Sequence, residues 1–314
     1  MQYYFAPMEG ITDTIYRKLH HQYFGGVDRY YMPFISPTVH RRLTQKEARE
    51  LPYADSVPFT AVPQILTKVP EDFLWTAEQC RDRGYEEINL NTGCPSGTVF
   101  SKGKGAGMLA DPDHLDRFLD AVFEKTPISI SVKTRLGVLD PDEFPDILDV
   151  FNRYPIKELT LHPRVRKAFY KGDVCMDGFR YLLANSKNPV CYNGNLCSVR
   201  DISDFSTEFP QVQAVMIGRG LIGDPGMLTK TGTTPETLKA FSDALLDAYT
   251  EAFGAPRNAM FRLKENWTYL LCRFDGAEKL GKQLRKTTDV DQYRQITHQI
   301  IDTCPMLPEL RPAW

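Results

Sequence analysis

The sequence lacks three features that would have settled its class at once. It has no apolar run near the ~20 residues of a membrane span, no Cys-x-x-Cys pair, and no large excess of one charge. The first gap leaves no transmembrane segment to expect. The start, Met1-Gln2-Tyr3-Tyr4, also has neither the basic region nor the apolar core of a secretory signal. Seven cysteines, odd in number and without paired spacing, argue against a disulfide framework and against a zinc site. The expectation is therefore a metal-free protein of the reducing cytoplasm. With 38 Lys and Arg against 40 Asp and Glu, the net charge of -2 gives no global attraction for nucleic acid. Such a partner would have to be met by a local basic patch. No low-complexity tail is present.

What is present is alternation. Short apolar runs at 3–8, 29–35, 59–66, 87–91, 128–134, 158–162, 190–193 and 214–218 read as strands, with helical periodicity between most of them. Buried parallel strands are short and apolar in this way. Eight strand–helix units over about 230 residues predict a TIM (β/α)8 barrel, an α/β fold. An open doubly wound sheet is the alternative. Polar side chains collect where the runs end, which is where barrel enzymes build their sites.

Beyond a Thr/Gly/Pro-rich stretch at 229–235 the chain reads only as helix to about residue 304. The domain expectation is a catalytic barrel over 1–230 and a small all-helical domain over 236–314. Between 257 and 286 the charges sum to about +5, including Lys279, Lys282, Arg285 and Lys286. That stretch is either a solvated helix face or a track for a phosphate backbone.

The chain is organised around Asn89-Leu90-Asn91-Thr92-Gly93-Cys94-Pro95 and the glycine-rich loop that follows. A strand ends there in amides, Gly93 permits a tight turn, and Pro95 prevents the strand from continuing. Most lone cysteines are small buried hydrophobes, but this one is presented at a strand end. Gly103, Gly105 and Gly107 alternate with Lys102 and Lys104, which suits an anionic substrate. Lys133 and Arg135 point to one side of a later strand by alternation. Two inward cations require something anionic, either a ligand or a glutamate such as Glu9. His162 and Arg164 repeat that spacing, with Arg166 beyond, and no second ligand stands at metal spacing. Asn193-Gly194-Asn195 and Gly218-Arg219-Gly220 follow the last two strands, where this barrel class binds phosphate. Arg219 can add a bidentate pair there. Gln64, after Val62-Pro63, fits either a ligand edge or a loop cap.

Taken in order, these pieces resemble the flavin-dependent tRNA-dihydrouridine synthases. The residues that carry the resemblance are Ala6-Pro7-Met8 with Gly10-Ile11-Thr12, Asn91-Thr92-Gly93-Cys94-Pro95, Lys104-Gly105-Ala106-Gly107, 132–137 (Val-Lys-Thr-Arg-Leu-Gly), His162-Pro163-Arg164, Tyr170-Lys171-Gly172, Asn193-Gly194 and 216–220 (Met-Ile-Gly-Arg-Gly). The resemblance implies a barrel that binds FMN, NADPH as reductant, and tRNA as partner of a monomer whose helical domain helps to grip it. It implies Cys94 as proton donor to C5 of a uracil that receives hydride at C6. A thiol, with a reference pKa near ~8.5, is protonated at neutral pH and can give that proton up. It further implies Pro7, Met8, Gln64, Lys133, His162, Asn193, Gly194, Asn195, Gly218 and Arg219 at the cofactor, and Asn91, Arg135, Arg164 and Arg166 at the substrate. Pro163, where the family commonly has Gly or Ala, and Ala168, where it commonly has Gln, depart from the pattern. They bear on which uridine is chosen. A flavin-dependent reductase of a free pyrimidine and a tRNA-binding chaperone are the competing readings. The basic helical region argues against the first, and the intact Cys94, Lys133, His162 and Arg219 argue against the second.

Overall fold

One interrupted strand closes the parallel sheet on itself. The computed structural model describes residues 1–313. Its strands are β1 (Gln2–Phe5), β2 (Arg29–Tyr31), β3 (Ala61–Val62), β4 (Gln64–Ile65), β5 (Glu87–Thr92), β6 (Ser129–Gly137), β7 (Leu159–Val165), β8 (Val190–Tyr192) and β9 (Ala214–Ile217). They are ordered β3-β2-β1-β9-β8-β7-β6-β5-β4. β3 and β4 are halves of the single run expected at 59–66, divided at Pro63, which has no N–H for the ladder. β3 pairs with β2 through Tyr30↔Ala61, and β4 pairs with β5 through Gln64↔Asn89. Both sides of the run are therefore hydrogen-bonded, and eight strand positions form a TIM-type barrel. A further bridge, Ile35↔Ile65, seals the seam.

The barrel belongs to one of two packing units, made of Met1–Pro7, Arg29–Gly194 and Pro210–Met216. A central layer of Tyr4, Ala6, Tyr31, Val62, Cys191, Ala214 and Met216 fills it. The departure at Pro163 falls inside β7, and the pairing of β6 with β7 shifts register between Arg135 and Gly137. A proline that cannot donate to the ladder accounts for an irregularity there.

The second unit contains Met8–Asp28, Asn195–Phe209 and the chain from Ile217 onward. The Thr/Gly/Pro stretch does mark the last helical run, whose helices are Pro235–Phe253, Pro256–Leu270, Glu278–Lys286 and Val290–Thr303. Packing adds the helix Thr14–Tyr23 to them. Phe241 meets the rings of Tyr16 and Phe24 edge-on, at 5.6 and 5.1 Å. Asp13 caps that helix by accepting from the Tyr16 N–H. Its carboxylate also accepts from Tyr249 Oη at 2.6 Å and from Arg262 Nη2 at 2.9 Å. No helix among the described residues is long and apolar enough to cross a membrane.

Candidate active site

In the barrel unit, the expected site residues share the C-terminal strand ends, and the register gives their levels. Asn91 on β5 stands opposite Lys133 on β6, and Arg135 stands opposite His162 on β7. Beneath the thiol loop runs a chain of amides. Ser131 Oγ accepts from Asn89 Nδ2 (2.9 Å), Asn89 Oδ1 accepts from Gln64 Nε2 (2.8 Å), and Gln64 Oε1 accepts from Asn91 Nδ2 (2.8 Å). Asn91 Oδ1 then takes the N–H groups of Gly93 and Cys94, at 3.0 and 2.9 Å. Buried amides need partners, and these satisfy one another while fixing the backbone at the cysteine. Gln64 and Asn91 thus position the thiol, whatever else they touch.

Gly105 packs onto that cysteine. Its backbone lies in the left-handed region at φ +57°, and a Cβ there would come within 2.9 Å of Cys94 Cβ. Ala106 N–H donates to the Cys94 carbonyl at 3.1 Å. The thiol is itself part-exposed.

Arg135 is 2% exposed. Its Nε donates to the Gly93 carbonyl (2.8 Å), and its Nη1 donates to the carbonyls of Phe169 (2.7 Å) and Val165 (3.3 Å). The Tyr170 ring lies 5.1 Å from its guanidinium. The side chain expected at the substrate therefore joins the thiol loop to the turn after β7. That turn carries Phe169 at φ 51° and ψ -104°, a region costing about 1–3 kcal/mol for a residue with a side chain. Arg166 lies over Phe100 of the thiol loop at 4.2 Å and over Phe169 at 5.4 Å. Such stacking of cation on ring is favourable.

His162 Nε2 lies 2.8 Å from Arg164 Nη1. A guanidinium only donates, so Nε2 accepts and the neutral ring carries its proton on Nδ1. Arg164 also donates to the Gly172 carbonyl. Lys133 contrasts with these arginines: no carboxylate or hydrogen-bond acceptor among the described residues meets its ammonium. Burial first, then the nearby charge of Arg135, brings its pKa down to about 7. The salt bridge weighed from sequence is not formed. At the end of β8, Asn193 Nδ2 donates to the Met216 carbonyl at 2.7 Å. A Cβ at Gly194 would fall 2.7 Å from Tyr192 Oη, so glycine is needed there for packing alone.

In the second unit, Arg219 Nη2 donates to Asn195 Oδ1 at 3.2 Å, with Asn195 at φ 32°. The basic stretch divides. Arg262 pairs with Asp13 and Arg273 with Asp224, while Lys264 donates to the Arg285 carbonyl. Lys279, Lys282, Arg285 and Lys286 remain exposed on the helix Glu278–Lys286, with no carboxylate partner among the described residues. Among the described residues, no group of three or more His, Cys, Asp or Glu could hold a metal ion. Sequence reasoning named Asn89 but gave it no role, and it missed Ser131, Phe100 and Phe169. The amides carried one signal, since Asn89 and Asn91 share a strand face at period two.

Comparison with known proteins agrees with this geometry. The profile of the dihydrouridine synthase (Dus) family matches residues 4–300. The chain is 30% identical over 225 residues to tRNA-dihydrouridine synthase B of Proteus vulgaris, covering 70% of this chain and 67% of that protein. It is 29% identical over 309 residues to a probable tRNA-dihydrouridine synthase of Staphylococcus aureus (strain MRSA252), covering 93% and 90%. Its match to the Pasteurella multocida (strain Pm70) synthase B is 28% identical and spans 66% of that protein. Among solved structures, morphinone reductase in complex with tetrahydroNAD superposes with a TM-score of 0.51 at 9% identity, over 72% of this chain and 85% of that one. That likeness speaks to the barrel alone.

Proposed function

This chain belongs to the dihydrouridine synthase family, and from that premise we propose that it reduces uridine in tRNA to 5,6-dihydrouridine, with Cys94 as the acid. The observation that carries the reading is the fixed thiol loop at the level of an ammonium with no protein partner. Asn91 and Arg135 hold the peptide before Cys94 from opposite sides, by its N–H and carbonyl groups. Lys133 stands across the strand pair from Asn91.

The lone ammonium of Lys133 is also the test of fit for FMN. A cation desolvated in a barrel is unfavourable unless an acceptor or anion faces it, and an isoalloxazine edge offers both. The residues proposed to hold FMN in the barrel unit are Pro7, Gln64, Lys133, His162, Asn193 and Gly194. Met8, Asn195, Gly218 and Arg219 carry the same proposal in the second unit, with Arg219 for phosphate. When bound, FMN would supply hydride chemistry at C6 of the uracil ring, with NADPH as its reductant. Everything else falls to the chain. The Cys94 S–H bond breaks as a C5–H bond forms, leaving a thiolate that regains a proton from solvent. His162, with Nε2 taken by Arg164, offers an Nδ1–H donor. Arg135 keeps the Gly93 carbonyl, and with it the thiol, in place. Arg164 and Arg166 are proposed at the substrate's rim, since the target base must leave its stack to reach a barrel mouth.

The unpaired cations of the helix Glu278–Lys286 favour a polynucleotide over a free pyrimidine, because lysines without carboxylates are what a phosphate backbone needs. Nucleoside mass spectrometry on dihydrouridine-free tRNA, incubated with the protein, FMN and NADPH, tests the reading. A dihydrouridine peak supports it. No peak from flavin-loaded protein that oxidises NADPH sinks it.

A further inference from the structure

Three lysines crowd one side of the barrel mouth, on and beside the loop that presents Cys94. Lys102 and Lys104 flank Gly103, and a Cβ at Gly103 would meet Lys68 Nζ at 3.3 Å. Lys68, from the turn after β4, therefore lies against that loop. Lys104 Nζ donates to Ser36 Oγ at 3.2 Å, and that hydroxyl donates onward to the Leu66 carbonyl at 3.2 Å. Burial lowers the pKa of Lys104, and the charges of Lys102 and Lys68 lower it further against the pull of Asp72. No ion pair joins any of the three to a carboxylate among the described residues. Elsewhere in the same unit such pairs are made: Arg29 and Lys157 meet Glu87 at 2.9 and 2.8 Å, and Arg153 meets Asp116 at 2.6 Å. Asp72 offsets that repulsion only in part: burial and the two neighbouring lysines still leave the Lys104 pKa lowered, so a further anion would be favoured there.

The loop's own packing says where that anion sits. Lys104 is followed directly by Gly105, whose missing Cβ would be 2.9 Å from Cys94 Cβ. We propose that Lys68, Lys102 and Lys104 seat a phosphodiester group of the polynucleotide beside the nucleotide whose base reaches Cys94. This rests on the proposed reaction for the identity of the polynucleotide. Lysines suit the task, since they act on phosphate as point charges and read no sequence. One loop then couples grip on the backbone to placement of the acid.

The test is binding of an unmodified tRNA transcript, followed by fluorescence anisotropy over a salt series, for wild type, Lys68→Gln, Lys104→Gln and the double variant. Each lost contact is expected to flatten the plot of log K against log salt by about 0.7–0.9. At low salt the double variant is expected to bind roughly 10-fold more weakly. Circular dichroism melting confirms that the variants fold, as substitutions at these positions should permit. An unchanged salt slope overturns the proposal. So does a raised KM for NADPH with tRNA binding intact, which would assign the lysines to the dinucleotide's phosphates. Because binding needs no turnover, a wild type that makes no dihydrouridine but shows the expected slopes would remove the reaction and leave the phosphate seat standing.

Discussion

The two ends of the barrel are built from the same strands and treat charge in opposite ways. At the N-terminal end, Glu87 takes both Arg29 and Lys157. Glu158 faces the hydroxyls of Tyr4 and Tyr31 at 3.1 and 3.4 Å. Arg29 lies over the Tyr4 ring at 5.4 Å. Arg29, Lys157, Glu87 and Glu158 all have protein partners there. At the C-terminal end Lys133, Lys68, Lys102 and Lys104 make no ion pair with a carboxylate among the described residues, and Arg135, Arg164 and Arg166 are tied to carbonyls, rings and a histidine. A barrel's lower face serves stability and its upper face chemistry. Here the difference lies in counter-charges: Glu87 draws two cations at the lower end, whereas Lys133, Lys68, Lys102 and Lys104 make no ion pair among the described residues.

Substitutions at the upper end should therefore cost turnover, and those at the lower end stability. The largest effect is expected for Cys94→Ala, which removes the acid and should lower dihydrouridine formation about 10²–10⁴-fold. Flavin content and flavin reduction by NADPH should survive it, as read by absorbance at the flavin band. Full retained tRNA reduction would remove Cys94 from the mechanism. Next comes Arg135→Met, which leaves the carbonyls of Gly93, Val165 and Phe169 without their donor. We expect kcat for tRNA to fall roughly 10–100-fold, with a smaller change in KM. Leaving buried acceptors unsatisfied should also destabilise the fold by about 1–3 kcal/mol. A raised KM with kcat intact would instead make Arg135 a substrate contact, as the sequence had led us to expect.

The lower end gives the third prediction. Burial raises the pKa of Glu158 to about 7 from 4.5, against the lowering pull of the tyrosine hydroxyls and Arg29. A carboxyl that holds its proton more tightly when folded stabilises the fold below its unfolded pKa. That contribution fades as pH rises through the folded value. Wild-type stability should thus decline between about pH 4.5 and pH 7, by about 3 kcal/mol. Glu158→Gln should flatten the decline, matching wild type at pH 5 and exceeding it at pH 8 in urea melts. Equal slopes for the two proteins would show that Glu158 does not titrate in this window. Turnover at a fixed pH should be unaffected, because the mutation lies at the opposite end of the barrel from Cys94.

How much of this was readable from residues alone follows from the range of each interaction. Strand ends were readable because polar residues break an apolar alternation locally, and Cys94 was readable because Gly93 and Pro95 bracket it. The amide chain was not. Asn89 and Gln64 are 25 residues apart, and their meeting depends on β4 pairing with β5 in one register. The contacts of Arg135 were not readable for a related reason. Alternation gives the side of a strand, but the carbonyls that Arg135 meets are set by turns, one of them held at the positive φ of Phe169. The basic stretch from 257 to 286 was a correct composition with a mixed destination. Arg262 and Arg273 find Asp13 and Asp224, 249 and 49 residues away, whereas Lys279, Lys282, Arg285 and Lys286 meet no carboxylate among the described residues.

The smallest effect sharpens the comparison most, because it asks whether the upper end is completed by a ligand at all. With its pKa near 7, Lys133 is partly deprotonated in neutral solution when nothing faces it. An anionic or acceptor group bound against the ammonium favours the charged form. Binding of FMN at about pH 7.5 should then draw up to roughly one proton from the buffer. Calorimetric titration of apoprotein with FMN in buffers of different ionisation enthalpy measures that uptake directly, as the slope of observed heat against buffer enthalpy. Uptake should shrink toward pH 6, where Lys133 is already protonated, and should vanish in Lys133→Met at every pH. A slope of zero in the wild type would mean that FMN does not meet this ammonium. The cation that most clearly lacks a partner would then need another ligand, and the substrate's own uracil carbonyl would be the next candidate to titrate.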